Sequence, residues 1–323
     1  MWNILIWILL FIGGYLLIYF AADIFLDNLK ELCLIYKLSP FIIGLLVLGI
    51  DPEESIASII AAINGLPFIT IGNIIGNSIF SLTLCFALPA FFYNITLKSI
   101  SRFYFEILYI CMIFLLLSFF VEYGLLLFGL AALILYIIYI IKSIRDISKK
   151  GVLDTVEIKD IAEELKEQKV EFSKGSIVKR IIMIIIGLFF IILGGEILIY
   201  SAEILINLTG ISEEIFGFLI IAFVTNVEEL TLVFKSIKKG SFEIGLGGMM
   251  GKVIWNLSLT FGLGGLIAVQ IGFNQILTYN WLLLLGLIVY YHVKSKKENL
   301  GKFDASILMI FLIVFIIINL IFN

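Results

Sequence analysis

The chain has 323 residues, of which 62% are hydrophobic and 15% are charged, and its formal net charge is −3. A water-soluble domain of this length needs far more polar surface than this composition provides, and the mean hydropathy is +1.15. These values exclude an ordinary soluble protein and predict an all-α integral membrane protein.

Ten stretches of about twenty apolar residues follow one another along the chain, each long enough to cross a bilayer as a helix. They cover residues 3–26, 41–63, 69–92, 103–121, 123–142, 181–205, 215–236, 241–268, 275–293 and 303–322. Residues 143–180, between the fifth and sixth stretches, are mostly polar and predict a linker between two groups of five transmembrane helices.

The distribution of Lys and Arg predicts the orientation of these helices. With the N-terminus outside, the inward loops hold 21 of the 22 basic residues, and the exception, Lys252, lies inside the eighth predicted helix. Cytoplasmic loops of membrane proteins carry this excess of basic residues. We therefore expect a multi-pass protein of the cell membrane with an outside N-terminus and a cytoplasmic 143–180 linker.

The two halves of the sequence resemble each other. "GGYLLIYFA" at Gly13–Ala21 matches "GGEILIYSA" at Gly194–Ala202, and "GIDPEES" at Gly49–Ser55 matches "VTNVEEL" at Val224–Leu230. Because each half has five predicted helices, an odd number, the second copy is expected to lie upside down relative to the first. Inverted repeats are typical of transporters, whose binding sites lie where broken, polar helices of both halves meet.

The repeat predicts the domain organisation. We expect two inverted five-helix repeats at residues 1–142 and 181–323, joined by the 143–180 linker. Their motif regions are expected at about residues 44–90 and 217–265.

Polar residues interrupt the apolar helices at matching places in the two halves. Helical lengths from Glu54 to the turn at Asn64, and from Ile69 to Ser81, are nearly equal, so Ser81 returns to the depth of Glu54. The separation of 27 residues between Glu54 and Ser81 recurs in the second half. This geometry predicts one cluster at a common depth, formed by Asp51, Glu54, Asn77, Ser81, Thr225, Asn226, Glu229, Lys252 and Asn256.

The chemistry of this cluster favours a metal ion. Carboxylate, amide and hydroxyl oxygens suit a hard cation such as Ca²⁺ or Na⁺, and the absence of His and Cys nearby argues against zinc or copper. An ionised carboxylate at the bilayer centre costs at least ~2.5 kcal/mol on insertion scales, so these acids need a partner. The alternative is that they are protonated, or form a structural ion pair with Lys252.

These residues resemble the two α-repeats of the sodium/calcium exchanger (cation/Ca²⁺ antiporter) superfamily, in the form of a divergent prokaryotic member. The family pattern G-N-x-x-G-[SN], which follows G-T-S-x-P-E, is similar to "GNIIGNSIFS" at Gly72–Ser81 and more loosely to "GGMMGKVIWN" at Gly247–Asn256. The resemblance implies an antiporter with ten spans and a central cluster of ion sites. By position, it assigns the calcium-binding glutamates to Glu54 and Glu229.

The resemblance also implies roles for the neighbouring residues, and the sequence departs from the family at several of them. The family's Thr-Ser pair is replaced by Ile50-Asp51 in the first copy and by Thr225-Asn226 in the second. Asn77, Ser81, Lys252 and Asn256 fall on the polar positions of the third and eighth helices. Glu53 and Glu228 lie about 100° further round their helices and stay uncertain second acids.

Lys252 occupies a position where sodium-coupled members usually carry a serine. One hypothesis is that its ammonium takes the place of a transported sodium ion, near Glu229 or Asp51. It would then lower the number of sodium ions exchanged, hand counter-transport to protons, or abolish transport. The alternative is a salt bridge that locks a site which otherwise works normally.

We therefore expect a secondary-active antiporter that exchanges Ca²⁺, or a similar divalent cation, against Na⁺ or H⁺ by alternating access. The alternative is a cation channel or a non-transporting membrane sensor built on the exchanger fold. An enzyme is disfavoured, because no nucleophile–base pair is found among the polar intramembrane residues. The expected partners are metal ions and the lipid bilayer; neither a cofactor nor nucleic acid is expected, and the chain is compatible with a monomer.

Overall fold

The computed structural model describes residues 2–35, 52–93, 95–96, 102–150, 174–226, 230, 250–295 and 299–322, most of which are helical. The α-helices are α1 (Trp2–Ile35), α2 (Pro52–Ile63), α3 (Pro67–Phe92), α4 (Arg102–Ser118), α5 (Gly124–Lys150), α6 (Lys174–Thr209), α7 (Glu213–Ile215), α8 (Ala222–Thr225), α9 (Phe261–Ala268), α10 (Gln275–Lys294) and α11 (Lys302–Ile321). A π-helix, π1 (Phe216–Ile221), joins α7 to α8, and a second, π2 (Asn256–Thr260), precedes α9.

Seven of the described helical stretches are long and apolar enough to cross a membrane. They are Ile4–Leu29, Pro67–Phe92, Gly124–Lys142, Ile177–Thr209, Met250–Ala268, Gln275–Lys294 and Lys302–Ile321. All ten predicted stretches contain described helical residues, although 41–51, 227–229, 231–236 and 241–249 lie outside the described part. The predicted helical membrane class is confirmed, whereas the number of ten helices stays a prediction.

The chain divides into two compact units. The first contains Met1–Ala57 and Ile140–Leu208, and the second contains Ser58–Tyr139 and Thr209–Asn323. Each unit combines residues from both predicted repeats, so the boundaries of the compact units do not coincide with the boundaries of the predicted repeats. The predicted repeat boundaries stay a prediction.

In the first unit, α1 and α6 cross at a glycine contact. A Cβ atom at Gly14 would lie 2.7 Å from the backbone nitrogen of Leu198, and one at Gly194 would lie 2.8 Å from the carbonyl oxygen of Gly14. Such a close backbone approach has no room for a side chain and is a common way for helices to pack in a bilayer. The adjacent Gly13 differs, because nothing lies within 4 Å of its Cβ position.

One end of this helix pair is held together by Arg180 of α6. Its guanidinium forms an ion pair with Glu31 of α1 and donates a hydrogen bond to the side-chain oxygen of Asn28 at 3.1 Å. The Asn28 amide in turn donates to the carbonyl oxygen of Ile24 at 2.7 Å. The predicted orientation places these contacts near the cytoplasmic surface.

In the second unit, α3 is the central helix. Its residues are buried almost without interruption from Ile69 to Ala90. A surface helix buries one face only, whereas a helix that is covered on all sides can present side chains to several partners. Polar residues on α3 can therefore contact more than one neighbouring helix.

The stretch Met250–Ala268 runs antiparallel to α3. Near the start of α3, a Cβ atom at Gly264 would lie 2.8 Å from the Cγ2 atom of Thr70. Further along α3, the Asn256 amide donates to the Asn77 side-chain oxygen at 3.1 Å. Because residue numbers rise along α3 while those of its partner fall, the two helices point in opposite directions.

A strand pair, a hydrogen bond and an ion pair connect the C-terminal end of α3 with the end of α10 and the start of α11. β1 (Ile95–Thr96), which follows α3, pairs antiparallel with β2 (Asn299–Leu300), which precedes α11. Asp304 of α11 accepts a hydrogen bond from the Tyr290 hydroxyl at 2.6 Å and forms an ion pair with Lys294 of α10. These contacts tie α10 and α11 to the end of α3.

Replacing Gly14 with Ala is expected to destabilise the protein by about 1–3 kcal/mol, because the new methyl group would clash with the backbone of α6. The measurement is the thermal unfolding temperature of the purified protein in detergent. Gly13→Ala is the matched control and is expected to be neutral or slightly stabilising, because alanine favours a helix and meets no neighbour. Equal unfolding temperatures for the two variants would contradict the crossing.

Candidate functional site

Glycines bring α3 into backbone contact with π1. A Cβ atom at Gly72 would lie 3.0 Å from the Cα atom of Gly217, and one at Gly76 would lie 2.3 Å from the carbonyl oxygen of Phe218. A Cβ atom at Gly217 would lie 2.8 Å from the carbonyl oxygen of Phe68. Gly72 and Gly76 therefore allow the backbone of α3 to approach that of π1 closely.

The segment 213–226, which comprises α7, π1, α8 and Asn226, runs parallel to α3. Near the start of α3, the Phe68 backbone nitrogen donates to Glu213, and further along, the Ser81 hydroxyl donates to Asn226. Both pairs are 145 residues apart in sequence. The same register at both ends shows that the two segments advance together in the same direction.

Asn77 lies at the centre of a buried hydrogen-bond network. Its amide nitrogen donates to the Thr225 hydroxyl at 3.0 Å, and its amide oxygen accepts from Asn256 at 3.1 Å and from Ser81 at 3.3 Å. A single side chain of α3 thus connects α8 with π2. The exposed fractions of these four side chains are 2% or less.

Asn226 completes the network. Its amide oxygen accepts from the Ser81 hydroxyl at 2.7 Å, and its amide nitrogen donates to the carbonyl oxygen of Ala222 at 2.8 Å. We call Asn77, Ser81, Thr225, Asn226 and Asn256 the amide–hydroxyl cluster. Side chains from three separate parts of the sequence meet in it, as predicted for these five residues.

Both π-helices border the amide–hydroxyl cluster. π1 ends four residues before Thr225, and π2 begins at Asn256. Short π-helical stretches within α-helices are rare and occur often at functional sites. Both helices therefore depart from regular α-helical geometry next to the cluster.

Aromatic side chains pack beside the contact between α3 and π1. The Phe80 ring lies 5.6 Å from that of Phe223 and 5.7 Å from that of Phe315, measured between ring centroids. The Phe315 ring also lies 6.4 Å from that of Phe218. Rings at these distances and angles contribute favourable edge-to-face contacts.

A second polar group, which the sequence analysis missed, lies one turn along α3 from Asn77. The Asn73 amide donates to the Ser58 hydroxyl at 2.9 Å, and the Thr70 hydroxyl donates to the Ser58 carbonyl oxygen at 3.1 Å. All three residues are at most 1% exposed. Thr70, Asn73, Asn77 and Ser81 recur at helical spacing, and this period could have revealed the group.

The structure places the charged residues of the predicted cluster less completely. Glu54 lies in α2 and is 1% exposed, and Lys252 lies one turn before Asn256 and is 8% exposed. Asp51, Glu228 and Glu229 lie outside the described residues, as does the side chain of Glu53. The predicted meeting of Glu54 with Glu229, and of Lys252 with an acid, therefore stays a prediction.

The amide–hydroxyl cluster consists of buried side chains that carry neutral oxygen atoms. Amide and hydroxyl oxygens are ligands that hard cations accept, and buried groups of this kind need hydrogen-bond partners or an ion. Among the described residues, no three His, Cys, Asp or Glu side chains come together to hold a metal ion. The five side chains of the amide–hydroxyl cluster are themselves neutral.

Comparison with known proteins gives consistent matches along the chain. A family model described as "Sodium/calcium exchanger protein" matches residues 6–145 and 179–321. An uncharacterized membrane protein of Methanocaldococcus jannaschii is 26% identical over 318 residues, which cover 95% of each chain. The putative antiporter CaxA of Alkalimonas amylolytica is 24% identical over 264 residues, which cover 79% of each chain.

A solved structure shares the fold. The sodium-calcium exchanger NCX_Mj, soaked with 10 mM Na⁺ and zero Ca²⁺, superposes with a TM-score of 0.56 at 20% sequence identity. The superposition covers 97% of this chain and 98% of that one. At this identity, the match concerns the fold alone.

Replacing Ser81 with Ala is expected to cost about 1–3 kcal/mol of stability, because the Asn226 oxygen loses a buried donor. Ser78→Ala is the matched control: Ser78 is equally buried on α3, but donates to the Ile74 carbonyl oxygen of its own helix at 2.8 Å. Thermal unfolding of both variants checks the expectation. If Ser78→Ala lost as much stability as Ser81→Ala, the hydrogen bond from Ser81 to Asn226 would add nothing to the stability of the protein.

Proposed function

Because the chain belongs to the sodium/calcium exchanger protein family, we propose that it is a secondary-active cation antiporter. It exchanges Ca²⁺, or a similar divalent cation, against Na⁺ or H⁺ across the cell membrane by alternating access. The observation that carries this proposal is the amide–hydroxyl cluster, in which buried oxygen ligands from α3, α8 and π2 meet within apolar helices. A site of this kind can replace the water around a hard cation.

The proposed architecture has ten transmembrane helices in two inverted repeats. Its support is the antiparallel packing of α3 against the stretch Met250–Ala268, because these two are the equivalent helices of the predicted repeats. Equivalent helices point in opposite directions when one copy is upside down. The excess of basic residues in alternate loops supports an outside N-terminus and a cytoplasmic 143–180 linker.

In the proposed site, Glu54 and Glu229 bind the divalent ion, and the amide–hydroxyl cluster and Asp51 surround it. The burial of Glu54 is compatible with this role, because a carboxylate inside the protein can bind an ion away from lipid. When the divalent ion leaves, Na⁺ or H⁺ meets the negative charge in the other half of the cycle. Glu53 and Glu228 are the alternative acids of the two copies.

Glu54→Gln is expected to reduce Ca²⁺ transport by more than roughly 100-fold. Changes to residues that merely support a metal ligand cost roughly 10–100-fold, and Glu54 is proposed to be a ligand itself. The measurement is ⁴⁵Ca²⁺ uptake into proteoliposomes under a Na⁺ gradient and, separately, under a proton gradient. Glu203→Gln, which alters an exposed carboxylate of α6, is the control and should transport like the wild type. Whichever gradient drives uptake by the wild-type chain identifies the counter-ion.

Other outcomes of this assay decide between functional classes. Uptake that needs no ion on the opposite side would indicate a cation channel. Absence of uptake under both gradients, with folded protein in the vesicles, would indicate a membrane sensor that does not transport. Either outcome would overturn the exchanger proposal.

We further propose that the Lys252 ammonium takes the place of one transported sodium ion, near Glu229 or Asp51. Lys252 precedes Asn256 by four residues, so the two side chains leave the same helix face. Asn256 belongs to the amide–hydroxyl cluster, and Lys252 itself is only 8% exposed. A buried ammonium supplies fixed positive charge, which a mobile cation would otherwise provide.

Lys252→Ser is expected to raise the number of sodium ions exchanged per Ca²⁺ by about one, because one positive charge is removed from the site. The stoichiometry is measured from the membrane potential at which ⁴⁵Ca²⁺ flux reverses in proteoliposomes with fixed Na⁺ gradients. Lys252→Arg, which keeps the charge, should leave the stoichiometry unchanged. An unchanged stoichiometry in Lys252→Ser would reduce Lys252 to a structural salt bridge.

A further inference from the structure

Glu213 holds the beginning of α3. Its Oε1 atom accepts hydrogen bonds from the backbone nitrogens of Phe68 at 2.7 Å and Ile69 at 3.2 Å. These N–H groups belong to the first turn of α3, which begins at Pro67 and has no partners for them within the helix. A carboxylate is well suited to this place, because the N-terminal end of a helix carries partial positive charge.

The residues around Glu213 are fixed as well. The Ser212 hydroxyl accepts from the backbone nitrogen of Ile215 at 3.3 Å, and so begins α7. Glu214 accepts from the Asn274 amide at 2.8 Å, and Asn274 in turn caps α10 by accepting from the Ile276 backbone nitrogen at 3.0 Å. Two consecutive carboxylates therefore join the start of segment 213–226 to the starts of α3 and α10.

Segment 213–226 is continuous from this contact to the amide–hydroxyl cluster. Glu213 lies opposite Phe68 and Asn226 lies opposite Ser81, so thirteen residues separate the two contacts on each side. That is about 20 Å of helix. Between them, Gly217 packs directly against the backbone of Phe68 and Ile69, so the two segments are in close contact along this stretch.

We propose that Glu213 is a positioning residue, which sets the register of Thr225 and Asn226 against Asn77 and Ser81 from about 20 Å away. This inference rests on the proposed transport function for its effect on ion affinity. The geometric part, the register of segment 213–226 along α3, is independent of transport. The acceptor oxygen of Glu213, more than its charge, performs this role.

The direction in which the pKa of Glu213 is shifted is consistent with that distinction. Burial raises the pKa of its carboxyl above the ordinary value, while the hydrogen bonds from Ile69 and Phe68 lower it and the Glu214 charge raises it. Because the pKa of the folded state is raised, the stability contribution is present at low pH and is lost as the pH rises through that pKa. A neutral side chain with the same oxygen atom should therefore be tolerated.

Glu213→Ala is expected to raise the half-saturating Ca²⁺ concentration of ⁴⁵Ca²⁺ uptake about tenfold, because two partly buried N–H groups lose their acceptor and the register relaxes. The maximal rate should change less than about twofold, since no ion ligand is removed. Glu213→Gln, which keeps the acceptor oxygen, should restore the wild-type affinity. Glu203→Ala, which alters an exposed carboxylate of α6, should leave the affinity unchanged.

Hydrogen exchange measured by mass spectrometry tests the register without transport. In Glu213→Ala, exchange should accelerate at Phe68 and Ile69 and also in the distant peptide that contains Thr225 and Asn226. In Glu213→Gln both regions should stay protected. If Glu213→Ala does not fold, Glu213→Asp, whose oxygen is withdrawn by one methylene group, should show the same changes at smaller amplitude.

The outcomes separate this proposal from the proposed function. If the wild type transports no Ca²⁺ but the distant peptide loses protection in Glu213→Ala, the function is wrong and the positioning role holds. If exchange accelerates only at Phe68 and Ile69, with unchanged affinity, Glu213 is a local cap and the positioning role is wrong. Equal behaviour of Glu213→Gln and Glu213→Ala would refute the role of the acceptor oxygen.

Discussion

The backbone contact between α3 and π1 is the constraint on which the amide–hydroxyl cluster depends. Short side chains such as Ser81 and Thr225 reach across a helix interface only when the two backbones nearly touch. Gly72, Gly76 and Gly217 permit that approach, because any Cβ atom there would fall within about 3 Å of the opposite backbone. Packing of small residues and buried polar contact are therefore parts of one arrangement.

Within an apolar surrounding, this arrangement has a high energetic cost unless every polar group finds a partner. In the cluster, side chains donate to and accept from one another across three helices, which lowers this cost. Its oxygen atoms are neutral, so the charge that would attract a divalent ion must come from acids such as Glu54. In the proposed exchanger, neutral ligands shape the site and the acids determine the charge of the ion that it holds.

The two predicted copies contribute different chemistry. In the described part, the first copy provides Asn77 and Ser81 from a regular α-helix, whereas the second provides Thr225, Asn226 and Asn256 beside two π-helices. Lys252, which is also buried, belongs to the second copy, and it is the basic residue among the described members of the predicted nine-residue cluster. In the proposed exchanger, such differences between the predicted copies offer a way to treat the two transported ions differently.

The sequence alone determined the membrane class and carried the resemblance to the exchangers, and the five residues of the amide–hydroxyl cluster are among the nine for which it predicted a common depth. Hydropathy and the separation of 27 residues between Glu54 and Ser81, which recurs in the second half, can be read without coordinates. The tertiary structure decided which partners meet: Asn256 with Asn77, Asn73 with Ser58, and Glu213 with the first turn of α3. These pairings depend on the register between helices that are distant in sequence, and no local pattern specifies a register.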